Sequence, residues 1–159
     1  MTTKKIVRKK PTGETKEETV TVKFKKLYNT SRLPEFMHKE DACADLYAYR
    51  AVYVPPRGMA QVGTGIASEI PEGYEGQIRS RSGWANDYSV QAHGGTIDSG
   101  YRGEWIVLLF NHSTMGIYVR EGDRIAQVAI REVPKVAFEE VKELSKTKRG
   151  SGGLGSTGA

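Results

Sequence analysis

Asp98 stands in the string Gly95-Thr96-Ile97-Asp98-Ser99-Gly100-Tyr101-Arg102-Gly103-Glu104, a carboxylate between glycine turns with an aromatic residue three positions on and an arginine four. A carboxylate at a hairpin tip has the reach of a general base, and Tyr101 offers a flat wall for a sugar or a base. The same string also reads as plain turn chemistry, with Asp98 capping backbone N–H groups. Upstream, Arg79-Ser80-Arg81-Ser82-Gly83-Trp84-Ala85 brings guanidinium, hydroxyl and glycine N–H to the mouth of a short helical turn. That composition binds phosphate, although a basic solvated turn is the plainer reading. The run Arg149-Gly150-Ser151-Gly152-Gly153-Leu154-Gly155-Ser156-Thr157-Gly158-Ala159 repeats the chemistry, because glycines let N–H groups converge on one centre while Arg149 adds a bidentate charge. It has P-loop spacing with Ser156 where the lysine belongs, so a clamp closing over a site built elsewhere fits better; a flexible Gly/Ser tail is the alternative. Two phosphate-binding compositions in one chain point to an oligophosphate ligand.

Two further strings supply polar groups. Asp45, within Ala42-Cys43-Ala44-Asp45-Leu46-Tyr47-Ala48, enters a strand among small and apolar neighbours and needs a partner. Beside a polyphosphate that partner is commonly water on Mg2+. Gly122-Asp123-Arg124-Ile125-Ala126-Gln127 opens a strand with a turn and presents Gln127; alone it is an ordinary turn and strand. Cys43 is the only cysteine, which excludes an internal disulfide, and nothing near it marks a reactive thiol.

The elements that must position these groups are short strands broken by turn residues. Residues 19–27 alternate Val20, Val22 and Phe24 with Thr21, Lys23 and Lys25, the period of a half-buried strand. Further strands are predicted over 45–54, 59–63, 74–79, 105–111, 117–119, 124–133 and 137–141, separated by Pro/Gly and Asp/Gly turns. One short helical turn fits around 84–87. This spacing predicts an all-β barrel or jelly roll. The apolar run Trp105 to Phe110 is expected to put one face in the core and the other against a second subunit.

The length of 159 residues suits one domain, burying roughly 70% of the unfolded surface. No stretch reaches the about 18 apolar residues of a membrane span, and the Lys/Thr/Glu-rich start does not read as a signal peptide. A cytoplasmic protein is expected. Residues 1–18 hold six Lys/Arg against three Glu, so +3 of the net charge of +5 lies there. Their composition reads as a disordered basic arm. Its charge permits contact with nucleic acid, but nothing else in the sequence supports that over a solvated tail. The expected division is arm 1–18, β-barrel domain 19–144 and phosphate-closing tail 145–159.

Taken in order, the five strings closely resemble the five motifs of the trimeric dUTP pyrophosphatase (dUTPase) family, over about residues 20–159. Leu33-Pro34 and Pro71-Glu72-Gly73-Tyr74, outside the motifs, match as well. The resemblance implies a β jelly-roll protomer and a homotrimer with active sites shared between subunits. It implies Mg2+-assisted hydrolysis of dUTP to dUMP and pyrophosphate, which limits uracil in DNA and supplies dUMP for dTMP synthesis. By the same resemblance, Asp98 activates water and Tyr101 lies beneath the deoxyribose, leaving no room for a 2′-hydroxyl. Arg81, Ser82, Gly83 and Gln127 contact phosphate, and Asp45 helps hold hydrated Mg2+, which is mainly carried by the triphosphate. Gly95, Thr96 and Ile97 read uracil through backbone groups. Arg149, Gly153, Leu154, Gly155, Ser156 and Thr157 close over the nucleotide.

The chain departs from the family pattern at several positions. Leu154 stands where most members carry Phe, losing a stacking face worth about a kcal/mol. Cys43 replaces a common Gly, Gly100 a common Asp, and Ala92 an Asn near the uracil, which shifts pyrimidine readout toward the backbone. Two rival readings remain. A dCTP deaminase shares the fold but resembles its relatives in carrying a catalytic Glu ten residues past the Asp, where this chain has Leu108. A regulatory or binding protein that retains the fold would act through partners.

Overall fold

The computed structural model describes residues 19–153. The basic arm and the tail residues Leu154, Gly155, Ser156 and Thr157 lie outside the described residues. The chain order is β1 (Lys23–Lys26), β2 (Ala44–Tyr47), β3 (Val52–Val54), β4 (Met59–Gly63), β5 (Ile66–Glu69) and β6 (Tyr74–Arg79). Helix α1 (Ser82–Tyr88) follows, then β7 (Val90–His93), β8 (Thr96–Ile97), β9 (Ile106–Asn111), β10 (Ile117–Val119) and β11 (Arg124–Glu132). All strand pairs are antiparallel, in sheets β2-β11-β6-β8 and β4-β9-β7 with two ribbons, β1-β5 and β10-β3. This is an all-β jelly-roll architecture.

The core follows from strand alternation. In β9, Val107, Leu109 and Asn111 are buried while Ile106, Leu108 and Phe110 face outward. Trp105, Val62, Leu46, Ile66, Val54, Val119 and Ile125 join the buried face. Trp105 is fully buried and donates its Nε1–H to Ser68 Oγ at 3.1 Å, so its one polar atom has a partner inside. Asn111 is the polar exception on β9: its Nδ2 donates to Met115 O at 2.7 Å, and its Oδ1 accepts from Ser113 N and Oγ, which closes the turn before β10.

Several predicted elements differ in the structure. The strand expected over 45–54 is two, β2 and β3, because the chain turns between Ala48 and Ala51. The Ala/Ser-containing β5 and the two-residue β8 carry too little apolar alternation to stand out, and α1 runs longer than one turn. The strand expected over 137–141 does not form. Its apolar residues alternate, but this segment leaves the body after Val133 with no ladder partner, and Phe138 is 98% exposed. Among the described residues no helix is long and apolar enough to cross a membrane.

Candidate active site

A cleft of about 490 Å3 collects Asp45, Arg81, Ser82, Gly83 and Gln127 from three elements, with Arg79 and Arg124 beside them. The register explains the meeting: on β11, Gln127 lies opposite Asp45 on one side and opposite Arg79 on the other. Arg81 leaves β6 in extended conformation and caps α1, which places Ser82 and Gly83 at the helix start. A larger cleft of about 780 Å3 adjoins through Arg81 and Arg124 and runs to Tyr88 and Tyr118, but Asp45, Ser82, Gly83 and Gln127 are not in it.

Asp45 is the buried charge of this region. Its Oδ1 accepts from Arg81 Nε at 2.9 Å and its Oδ2 from Arg124 Nη1 at 3.2 Å. Arg81 Nη1 also donates to Arg124 O at 3.2 Å, and Gln127 Nε2 donates to Ser80 O at 3.2 Å. Each carboxylate oxygen holds two lone pairs, so each Asp45 oxygen keeps one acceptor site beyond its arginine. That fits an outer-sphere contact to a hydrated Mg2+, which dehydrates reluctantly and is usually held by few carboxylates plus phosphates. Among the described residues no three His, Cys, Asp or Glu side chains gather to form a protein cage for a metal. On the same face as Asp45, Tyr47 is buried under the Arg32 guanidinium and donates its hydroxyl to Glu35. Burial first, and that hydrogen bond second, push its phenol above the ordinary value.

Asp98 and Tyr101 are elsewhere. Ile97 on β8 pairs with Gly76 on β6, so Asp98 comes level with Glu75 near one end of β6, while Arg81 follows the Arg79 end. The six steps from Glu75 to Arg81, at about 3.3 Å each, span about 20 Å. Asp98 is exposed, and Tyr101 is 44% exposed. The hairpin is nonetheless well set. Tyr101 O–H donates to Glu104 O at 3.0 Å, Arg102 Nη1 donates to Ser99 O at 2.6 Å, and Gly65 N–H donates to Glu104 Oε1 at 2.8 Å. A Cβ at Gly103 would meet the hydroxyl end of the Tyr101 ring, so a larger residue there would displace that ring.

Gly95, Thr96 and Ile97 sit where the two main sheets part. β7 ends the sheet β4-β9-β7 and β8 ends the sheet β2-β11-β6-β8, so each of these consecutive strands has one edge without a ladder neighbour. Ala92 is less open than its neighbours: its N–H donates to Ser80 Oγ at 2.9 Å, and its carbonyl accepts from the same hydroxyl at 3.4 Å. In the tail, Arg149 Nε donates to Gly152 O at 3.0 Å, while Gly150 N–H donates to Thr147 Oγ1 at 3.1 Å. Within one chain, neither Arg149 nor Gly153 reaches the other site residues' clefts.

The structure thus unites five of the expected residues and leaves the hairpin and tail apart. Arg124 is a residue that sequence reasoning passed over; its only signal was a place in the turn-and-strand string ahead of Gln127.

Comparisons with known proteins point to one family. The dUTPase family profile matches residues 29–158. The deoxyuridine 5′-triphosphate nucleotidohydrolase of Clostridium tetani is 45% identical over 140 residues, covering 87% of this chain and 97% of its own length. That of Helicobacter hepaticus is 44% identical over 139 residues, covering 86% and 88%. Among solved structures, the dUTPase of Staphylococcus bacteriophage 80alpha with dUpNHpp aligns at TM-score 0.81 and 29% identity, over 89% of this chain and all of that one. A mutant dUTPase from phage phi11 of S. aureus, solved with a structural Mg(II) ion, aligns at TM-score 0.73 and 27% identity, over 77% and 97%.

Proposed function

The chain belongs to the dUTPase family and is a dUTP diphosphatase forming dUMP, and from that premise we propose that it works as a homotrimer whose active sites are each completed by more than one copy. The observation that carries this is the span of about 20 Å between Asp98 and Arg81 along β6, too long for one triphosphate-bound nucleotide to bridge the base and the phosphate cleft productively. Two surfaces support the assembly. The outer face of β9 is apolar, with Ile106, Leu108 and Phe110 beside Met59, and residues 136–151 are exposed beyond the Lys135–Glu72 contact. Both need cover from another copy.

In the assembled site the hairpin of one copy meets the phosphate cleft of another. Backbone groups around β8, including Gly95, Thr96 and Ile97, read the uracil edge, and Tyr101 lies under the deoxyribose. Arg81, Ser82, Gly83 and Gln127 hold the phosphates, and the segment from Arg149 through Gly153, Leu154, Gly155, Ser156 and Thr157 closes over them. Asp98 removes a proton from a water whose oxygen bonds to the α-phosphorus. The bond from that phosphorus to the bridging oxygen breaks, and its electron pair leaves with pyrophosphate. Asp45 would accept hydrogen bonds from the water shell of a triphosphate-bound Mg2+, which would supply neutralisation of the developing charge. The division into arm 1–18, domain 19–144 and tail 145–159 belongs to the same reading, as do a cytoplasmic setting and the role of limiting uracil in DNA while supplying dUMP. Leu108, in the middle of β9 between Gln61 and His93, offers no acid for deamination.

The test is pyrophosphate release with Mg2+ from dUTP, UTP, dCTP and dTTP. Turnover confined to dUTP supports the reading; ammonia release from dCTP, or no turnover at all, overturns it.

A further inference from the structure

Arg124 has no part in the roles above, yet the fold deforms to deliver it. Gln127 lies opposite Asp45 across the β11-β2 ladder, and residues an odd number apart on a regular strand face opposite sides, so Arg124 would turn away from Asp45. The ladder shifts by one residue between Arg124 and Ala126. Arg124, rather than Ile125, therefore stands opposite Tyr47, and its Nη1 reaches Asp45 Oδ2 at 3.2 Å. Ile125 turns into the core at 1% exposure. A bulge of this kind gives up ladder bonding to re-aim a side chain.

The re-aimed residue touches both members of the buried pair. Its guanidinium holds the Asp45 oxygen that Arg81 leaves free, and its carbonyl accepts from Arg81 Nη1. Arg81 thus has Nε and one N–H of Nη1 engaged, which leaves Nη2 and the second Nη1 N–H for phosphate oxygens. Charge points the same way. Asp45 with Arg81 alone is a neutral pair, while Asp45 between two arginines carries a net positive charge beside the cleft that must attract a polyanion.

We infer that Arg124 is a positioning residue of the phosphate site, acting through Asp45. This rests on the dUTPase reading of the same cleft. Because Arg124 is 43% exposed on its side chain, the pair adds little to stability, and its effect belongs in binding. The experiment measures KM, kcat, unfolding temperature and affinity for a non-hydrolysable imido analogue of dUTP, with Mg2+ and with EDTA, for wild type, Arg124→Met and Arg124→Lys. Arg124→Met is expected to raise KM and the analogue Kd about tenfold with the unfolding temperature unchanged, and Arg124→Lys about threefold, since it keeps the charge and loses the fork. In an Asp45→Asn background, Arg124→Met should weaken the analogue by less than about twofold further, because its partner is gone. Values within about twofold of wild type for Arg124→Met, or full additivity with Asp45→Asn, overturn the inference. Should Arg124→Met fail to fold, Arg124→Lys decides by the same threshold. A wild-type protein that releases no pyrophosphate from dUTP fails the parent reading, whereas normal wild-type turnover with silent Arg124 variants overturns this inference alone.

Discussion

At the phosphate end of the molecule Asp45 is closed between Arg81 and Arg124 and Gln127 is tied to Ser80 O, whereas at the hairpin end Asp98 is exposed and its carboxylate has no partner among the described residues. Both ends carry one carboxylate that matters to the proposed reaction. The buried one holds an arginine on each oxygen, and a lone ionised group at that depth would be costly. The exposed one is free to accept a proton, because nothing among the described residues competes for its lone pairs. The contrast teaches a division of labour: a chain can brace its own binding groups while leaving its reactive group to be enclosed only when another copy arrives.

The sharpest way to break that contrast is at the free carboxylate. Asp98→Asn should lower kcat by about 10³-fold while leaving the affinity for an imido analogue within a few-fold, as measured by steady-state kinetics and calorimetry. A near-normal kcat would remove Asp98 as the base. The next effect is a gain rather than a loss. Asp98→Asn and Arg81→Ala proteins are each expected to be nearly inactive, but co-refolding them in equal amounts should restore about one site in four, since a hairpin from one and a cleft from the other make an intact site. Activity that stays at the level of the separate variants would place both ends of each site in a single copy and dissolve the comparison.

How far the two ends were legible in the sequence differs for a physical reason. Strand β6 and strand β10 could be bounded from alternation and turn residues alone, because each is a local pattern ended by glycine or by Glu121-Gly122-Asp123. Asp45, Arg81 and Gln127 could be listed, but not their meeting, which depends on the register of β11 against both β2 and β6. Arg124 was invisible because a one-residue bulge reverses the face that alternation assigns. Residues 137–141 misled in the opposite way: their alternation is genuine, yet a strand exists only with a partner, and the described residues hold none for it. The parting of β7 from β8 onto different sheets, which opens the backbone edges beside Gly95 to Ile97, likewise leaves no trace in a stretch as short as Thr96–Ile97.

A smaller effect sharpens what the hairpin end contributes. The Tyr101 ring is fixed by its hydroxyl bond to Glu104 O and by close contact with Gly103, so it acts as a wall of set position. If that wall excludes a 2′-hydroxyl, Tyr101→Ala should raise kcat/KM for UTP relative to dUTP about tenfold, read from competition assays. An unchanged ratio would assign sugar discrimination to another group and leave Tyr101 a packing role.

The smallest expected effect tests whether the tail is a third independent part or only slack chain. Gly150 lies at φ 51°, a left-handed conformation suited to glycine, and its N–H is shared between Thr147 Oγ1 and Thr147 O. Together with the Arg149 to Gly152 contact, this bends the segment into two overlapping turns before the glycine run begins. Such a turn lowers the entropy that closing must overcome. Thr147→Val removes the side-chain acceptor but keeps shape and the carbonyl bond, so a single hydrogen bond of about 1 kcal/mol is at stake. KM for dUTP should rise about threefold with kcat and oligomeric state unchanged, and Thr147→Ser should restore the wild-type value. If Thr147→Val leaves KM untouched, the turn does not prepare the tail for closure, and Arg149 reaches phosphate from an unshaped chain.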